Sequence, residues 1–337
     1  MLTHSLKKLA APLFGLVLVA GTVTACSSDA DDASDASSRL PAGEGTTEYP
    51  LELDTEYGST TLEDRPEKIV AYRGLGPELA LSLGITPIAS NDWEQFSSFL
   101  SEYGADDIDT ILEPVDGNVP VESISAEDPD LIVVNTTEQS VFDQLSQVAP
   151  VLAYSYSWGE NGTDWREQLA RLGEATDLAE AAADVESTHD DAIQAIRDEN
   201  PEFAEYSANF ISDKGDNVDV ESFAGSPGEE FFAQLGFQPF EKAEEFTNTD
   251  VVSGERYADL AADVMFIYDP SGGMPTLSGS QAFQNLPAVQ NDLAFPLELS
   301  DDDPFPGTMA VGLRSPAPLT NVWLAEHIVD LLGDKLK

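Results

Sequence analysis

An alternation of short apolar runs and helical stretches, interrupted once by a long helical segment and then resumed, constrains this chain most. Lys68-Ile69-Val70-Ala71-Tyr72 reads as a strand, Gly74 to Pro77 as a turn, and Glu78 to Leu83 as a short helix that Gly84 stops. Ile85 to Ala89 reads as a second strand, with Pro87 confining it to an edge or an end. Asp130 to Val134 is a strand, Glu138 to Val148 a helix, and Pro150 to Tyr154 another strand. From Ala175 to Asn200, Leu178, Ala182, Val185, His189, Ala192, Ile193 and Ile196 recur on one helical face, and Asn200-Pro201 ends the run. The alternation then restarts with a strand at Ala208 to Ile211, a helix from Gly228 to Leu235 closed by Gly236, a strand at Val264 to Tyr268, and a last helix from Thr320 to Leu332. Such βαβ order calls for mostly parallel sheets flanked by helices. The expected class is therefore α/β, with two Rossmann-like lobes joined by a single long helix.

The amino-terminal residues do not belong to that pattern. Lys7 and Lys8 form a short basic region, an apolar run follows from Leu9 to Ala20, and Val23-Thr24-Ala25-Cys26 closes the segment. The apolar run is shorter than the about 20 residues that span a bilayer. The order resembles a bacterial lipoprotein signal peptide with its lipobox, which implies that Cys26, the only cysteine, is lipidated. Ser27 to Ser38 reads SSDADDASDASS, with nothing to bury and like charges that keep it extended. The expected organisation is a signal peptide over 1–26 and a disordered acidic linker over 27–60. An amino-terminal lobe follows over 61–174, then a bridging helix over 175–201 and a carboxyl-terminal lobe over 202–337. The expected place of work is extracytoplasmic, on a lipid anchor.

Charge and cysteine count exclude several functions. With 63 acidic and 15 basic residues the formal net charge is −48, so nucleic-acid phosphates are repelled. One cysteine permits neither an intrachain disulfide nor a cysteine-rich metal site. Acids spread along the whole chain fit either adaptation to a saline exterior, where screening relieves self-repulsion, or an ordinary acidic secreted protein.

The two halves echo each other. Val121 to Ile132 places a short helix before a strand, and Ser253 to Met265 does the same, each with a Glu near the helix start and an Asp leading into the strand. Together with Arg65 to Val70, Glu78 to Ile88, the Asp128-Pro129-Asp130-Leu131-Ile132 run, Gln147 to Val151, Trp165 to Leu178 and Phe283 to Gln290, these segments resemble the iron-siderophore and cobalamin solute-binding proteins of ABC importers. The resemblance runs in order through most of the chain after the linker. It implies a ligand cleft between two α/β lobes and small hinge motion on a stiff helix. It also implies a monomer working with a membrane permease of that type, and one exposed Glu per lobe for docking, which falls on Glu122 and Glu255.

Loops after strand ends line clefts in such folds. That rule picks Arg73 after the first strand, Trp93, Thr136, Trp158, and, in the second lobe, Phe223, Tyr268 and Arg314 as ligand-binding candidates. Guanidinium groups suit chelate oxygens, and aromatic rings suit an organic shell. The expected ligand is a ferric siderophore whose iron is held by the siderophore itself, so neither a cofactor nor a protein metal ligand is required. So few cations favour a trihydroxamate complex over a strongly anionic one. Haem or cobalamin is the alternative within this fold, with Tyr156, Tyr268 or Met309 as an axial ligand to haem. A direct zinc or manganese site wants several histidines. Only His189 and His327 survive beyond the signal segment, and both read as packing or capping residues. Enzyme motifs such as Gly-x-Ser-x-Gly, a Walker loop or His-Glu-x-x-His do not occur. A surface adhesin without a small ligand is the remaining class.

Overall fold

The computed structural model describes residues 39–92, 98–136, 138–155, 164–215, 217–248, 250–270, 272–298, 305–333 and 335–336. Cys26, Trp93, Tyr156 and Trp158 lie outside these. The first strands form an antiparallel hairpin, β1 (Leu51–Thr55) and β2 (Gly58–Leu62). Leu51 and Leu53 alternate with Glu52 and Asp54, so one face of β1 turns inward, and Leu53 and Leu62 join the core beside Ile69. The disordered linker expected over 27–60 is thus too long. Residues 51–60 belong to the folded part because they carry a buried apolar face.

Five parallel strands make the first lobe: β3 (Ile69–Tyr72), β4 (Ala89–Ser90), β5 (Thr110–Ile111), β6 (Leu131–Thr136) and β7 (Val151–Ser155), in the order β5-β4-β3-β6-β7. Every residue of β3 and β6 is buried, as strands covered on both faces require. The strand expected at Ile85 starts only at Ala89. Thr86 instead bridges to Arg39, and Pro87 has no N–H to give a ladder.

The second lobe holds β8 (Ser207–Asp213), β9 (Val218–Val220), β10 (Gln238–Pro239), β11 (Val251–Val252), β12 (Val264–Asp269) and β13 (Ala294–Glu298). The order is β11-β9-β8-β12-β13, with β10 also on β8; β8, β12 and β13 run parallel, while β9 pairs antiparallel with both β8 and β11. Its core is rich in phenylalanine, with Phe232 stacked on Phe266 and Phe266 on Phe295.

The bridging helix is Ala179–Glu199, shorter than the expected 175–201. Asp177 breaks the run with φ 55°, separating this helix from Trp165–Ala175. Its carboxylate accepts the N–H groups of Gly45, Thr46 and Thr47 at 2.7, 2.8 and 2.9 Å, which hold its pKa down at about 2. The Glu44 carboxylate then accepts from Glu180 N and Ala181 N, 2.8 Å each, at the free amino end of the bridging helix. The segment around residues 44–47 is thereby fastened to the corner that precedes the bridge. The last helix, Pro318–Leu332, packs along the bridging helix and buries Leu324, Ala325 and Ile328 in the second lobe's core. Among the described residues no helix is long and apolar enough to cross a membrane.

Candidate functional site

The chain leaves β3 through two successive left-handed residues, Arg73 at φ 62° and Gly74 at φ 57°. A Cβ on Gly74 would stand 2.5 Å from Asn135, so only glycine fits there. Asn91 Oδ1 accepts from Arg73 N at 2.7 Å, and Asn135 Oδ1 accepts from Leu75 N at 3.2 Å. This turn delivers Gly74, Leu75 and the helix Gly76–Ser82 to one wall of a cavity of about 660 Å³. The opposite wall comes from the second lobe: Lys214, Asp219, Val220, Glu221, Phe223 and Tyr268 after or along its strands, and Thr308 with Val311 to Ser315 before the last helix. The volume falls within the range of small-ligand clefts.

Arg314 organises the second-lobe wall. Its side chain is only 11% exposed, and its Nη2 donates to Glu221 Oε1 at 2.7 Å and to Ser212 Oγ. Its guanidinium lies 4.2 Å from the centre of the Tyr268 ring and 5.0 Å from that of Phe210. Ser212 also donates to Glu221 Oε1. Lys214 Nζ stands 4.0 Å from the same oxygen and 3.9 Å from Asp219 Oδ2. Burial alone would raise the Glu221 carboxyl, but Arg314, Ser212 and Lys214 outweigh it and hold its pKa below the usual range.

At the cavity floor the lobes meet through Glu78, which is 7% exposed. Its Oε1 accepts from Leu319 N at 2.9 Å and Thr320 N at 2.8 Å, and its Oε2 accepts from the Thr320 hydroxyl at 2.6 Å. A side chain of the first lobe therefore occupies the free amino end of the last helix. Burial raises the Glu78 pKa, and the bonds from Thr320 and Leu319 counter that only in part. Phe99 stacks on Trp323 beside this junction.

The expected site residues divide. Phe223, Tyr268 and Arg314 line the cavity. Arg73 sits at the cleft edge, but its guanidinium turns to the Gly117 carbonyl and does not line the cavity. Thr136 is buried at the end of β6, its carbonyl accepting from Tyr57 Oη at 2.6 Å and its hydroxyl from Glu138 N at 3.0 Å, and it too is away from the lining. Trp93 and Trp158 lie outside the described residues. Met309, a candidate axial ligand, is fully enclosed in the core and cannot reach a haem in the cleft. Glu221, Lys214, Ser212 and Glu78 escaped the sequence reading. The rule that singled out Arg73, a cation just past a strand in an acidic chain, applies equally to Lys214 after β8.

Both histidines pack. His189 is 2% exposed, gives its Nδ1 proton to Asp190 at 2.9 Å and accepts from Asn321 Nδ2 at 3.3 Å; burial keeps its pKa low and the ring neutral. His327 Nδ1 donates to the Trp323 carbonyl at 2.7 Å.

Glu122 opens the helix Val121–Ala126 and Glu255 the 3-10 turn Gly254–Leu260, and both are exposed.

Two α/β lobes and one bridging helix enclosing a lined cleft make the architecture of a solute-binding protein. Residues 69–295 match the periplasmic binding protein family, and the chain belongs to that family. It is 26% identical to the ferric enterobactin-binding periplasmic protein FepB of Escherichia coli over 45% of this chain and 50% of that protein, so that match spans about half of the relative. It is 24% identical to the iron(3+)-hydroxamate-binding protein FhuD of Bacillus subtilis over 88% of this chain and 92% of that one. It shares its fold with Streptococcus pneumoniae PiaA, solved in complex with ferrichrome, with a TM-score of 0.66 at 20% identity, over 85% of this chain and 98% of that chain.

Proposed function

We propose that this chain is the lipid-anchored, extracytoplasmic binding protein of an ABC importer. It captures a ferric siderophore, a trihydroxamate by preference, between its lobes and delivers it to a permease of the iron-siderophore type. The observation that carries this reading is the cleft itself: about 660 Å³, walled by both lobes, and furnished with a few aromatic and apolar groups and paired charges. A metal chelate wrapped in an organic shell needs such a cavity, because its iron is already coordinated and only shape, aromatic contact and a few polar bonds remain to be supplied. The ligands for which these relatives are named, ferric enterobactin and iron(3+)-hydroxamate, support the ligand class. The charge balance supports the preference. Lys214 and Arg314 face Glu78, Asp92, Asp219 and Glu221 around the cavity, a poor setting for a trianionic tricatecholate and an acceptable one for a neutral trihydroxamate. Cys26 serves as the lipid attachment point, and Glu122 and Glu255, each exposed near the start of a short helical segment, as docking contacts for permease arginines. The protein acts as a monomer.

A fluorescence titration tests the ligand. The folded part is mixed with a ferric trihydroxamate, a ferric tricatecholate, haem and cobalamin. Saturable quenching by a ferric siderophore, corrected for its own absorption, is the expected result. Response to haem or cobalamin alone would overturn the siderophore reading.

A further inference from the structure

The cleft holds a cation that is already answered. Arg314 is stacked on Tyr268, and its Nη2 is taken by Glu221 and Ser212, which are themselves bonded to each other. The Glu221 side chain is 19% exposed, so this triangle sits where water screens weakly. Lys214, the other cation of the lining, stands within 4.0 Å of the same Glu221 oxygen. Among the described residues, one carboxylate therefore draws on both cationic side chains that line the cavity.

Resting on the siderophore reading, we infer that Glu221 is a specificity-determining residue, an internal counter-ion that excludes anionic siderophores by occupying Arg314. An incoming carboxylate or catecholate oxygen must either displace Glu221 from Arg314 or lie beside it. Displacement strands a carboxylate in a half-buried place, and close approach sets like charges together at low effective dielectric. A neutral chelate meets neither cost. It uses the ring faces and the cavity's hydroxyl and amide groups.

The test compares the wild-type chain with Glu221→Gln, using a neutral ferric trihydroxamate and two anionic complexes, a ferric tricatecholate and a ferric carboxylate chelate. Each is measured at low and at molar NaCl. The readout is the ratio of affinities, which does not depend on the fraction of variant that folds. The wild type is expected to favour the neutral complex by roughly tenfold or more. Glu221→Gln, which removes the competing charge, is expected to shift the ratio toward the anionic complexes by at least about tenfold at low salt, and less at molar salt. An unchanged ratio in the variant, or a wild type that binds an anionic complex as tightly as the neutral one, would overturn the role of Glu221 and leave the siderophore reading standing. Wild-type protein that binds none of the ferric complexes would overturn both.

Discussion

Replacing Glu78 by alanine should loosen the two lobes without touching either sheet. The substitution removes three bonds at once, to Leu319 N, Thr320 N and the Thr320 hydroxyl. Hydrogen bonds to a charged acceptor contribute about 1.5–3 kcal/mol each, and an orphaned buried donor costs about 1–3 kcal/mol. Simple addition overstates the loss, because Glu78 borders the cavity and water can reach the bared amino end of the last helix. A destabilisation of about 3–5 kcal/mol is expected from urea unfolding, read as a lower midpoint. Glu78→Gln keeps an acceptor for both N–H groups and turns its amide toward Thr320, whose hydroxyl then accepts. Its cost should be only about 1 kcal/mol. Hydrogen exchange should place the loosening in residues 318–324 and around Phe99, where the ring stacks on Trp323. A loss below about 1 kcal/mol in the alanine variant would refute the reasoning, since it would mean that these donors are as well satisfied by water.

Other expectations follow from the same geometry. Asp177, with a pKa lowered from 3.8 to about 2, stabilises the fold above pH 3.8, and that stability is lost as the pH falls through about 2. Asp177→Asn should flatten this acid limb and open residues 44–47 to proteolysis at neutral pH, whereas an unaltered acid limb would rule out the clamp. Charge reversal at both Glu122 and Glu255 should abolish uptake in cells and spare ligand binding by the isolated protein, and normal uptake would remove their docking role. A net charge of −48 should make the melting temperature rise from about 0.05 M to about 1 M NaCl, and a flat response would exclude adaptation to salt.

What the sequence made legible was whatever is decided locally. β3, β6 and β12 are buried on both faces, so they appear as unbroken apolar runs, and Gly236 at φ 103° ends its helix where a glycine was expected to. The β1–β2 hairpin was missed although Leu51-Glu52-Leu53-Asp54 alternates, because acidic, unburied residues precede it and conceal the change of register. The segment at 44–47 carries no local signal at all. Its order comes from Asp177 and from the open end of the bridging helix, more than 130 residues away in sequence. The site follows the same division. Strand ends placed Tyr268 and Phe223 at the cleft, since backbone position suffices there, whereas Arg314 reaches it from the turn after the helix Phe305–Gly312 and not from a strand. Arg73 stands at the expected strand end, but its direction is set by Gly117, 44 residues on, and Glu221 and Glu78 gain their roles only through partners across the fold.

Hydrogen–deuterium exchange of the wild-type chain with and without saturating ferric trihydroxamate tests the central claim most directly. The account expects protection in both lobes together, at residues 74–92 on one wall and at residues 212–226 and 308–315 on the other, with the iron-free siderophore protecting far less. Protection confined to one lobe, or none at the cleft despite binding, would contradict capture between the lobes.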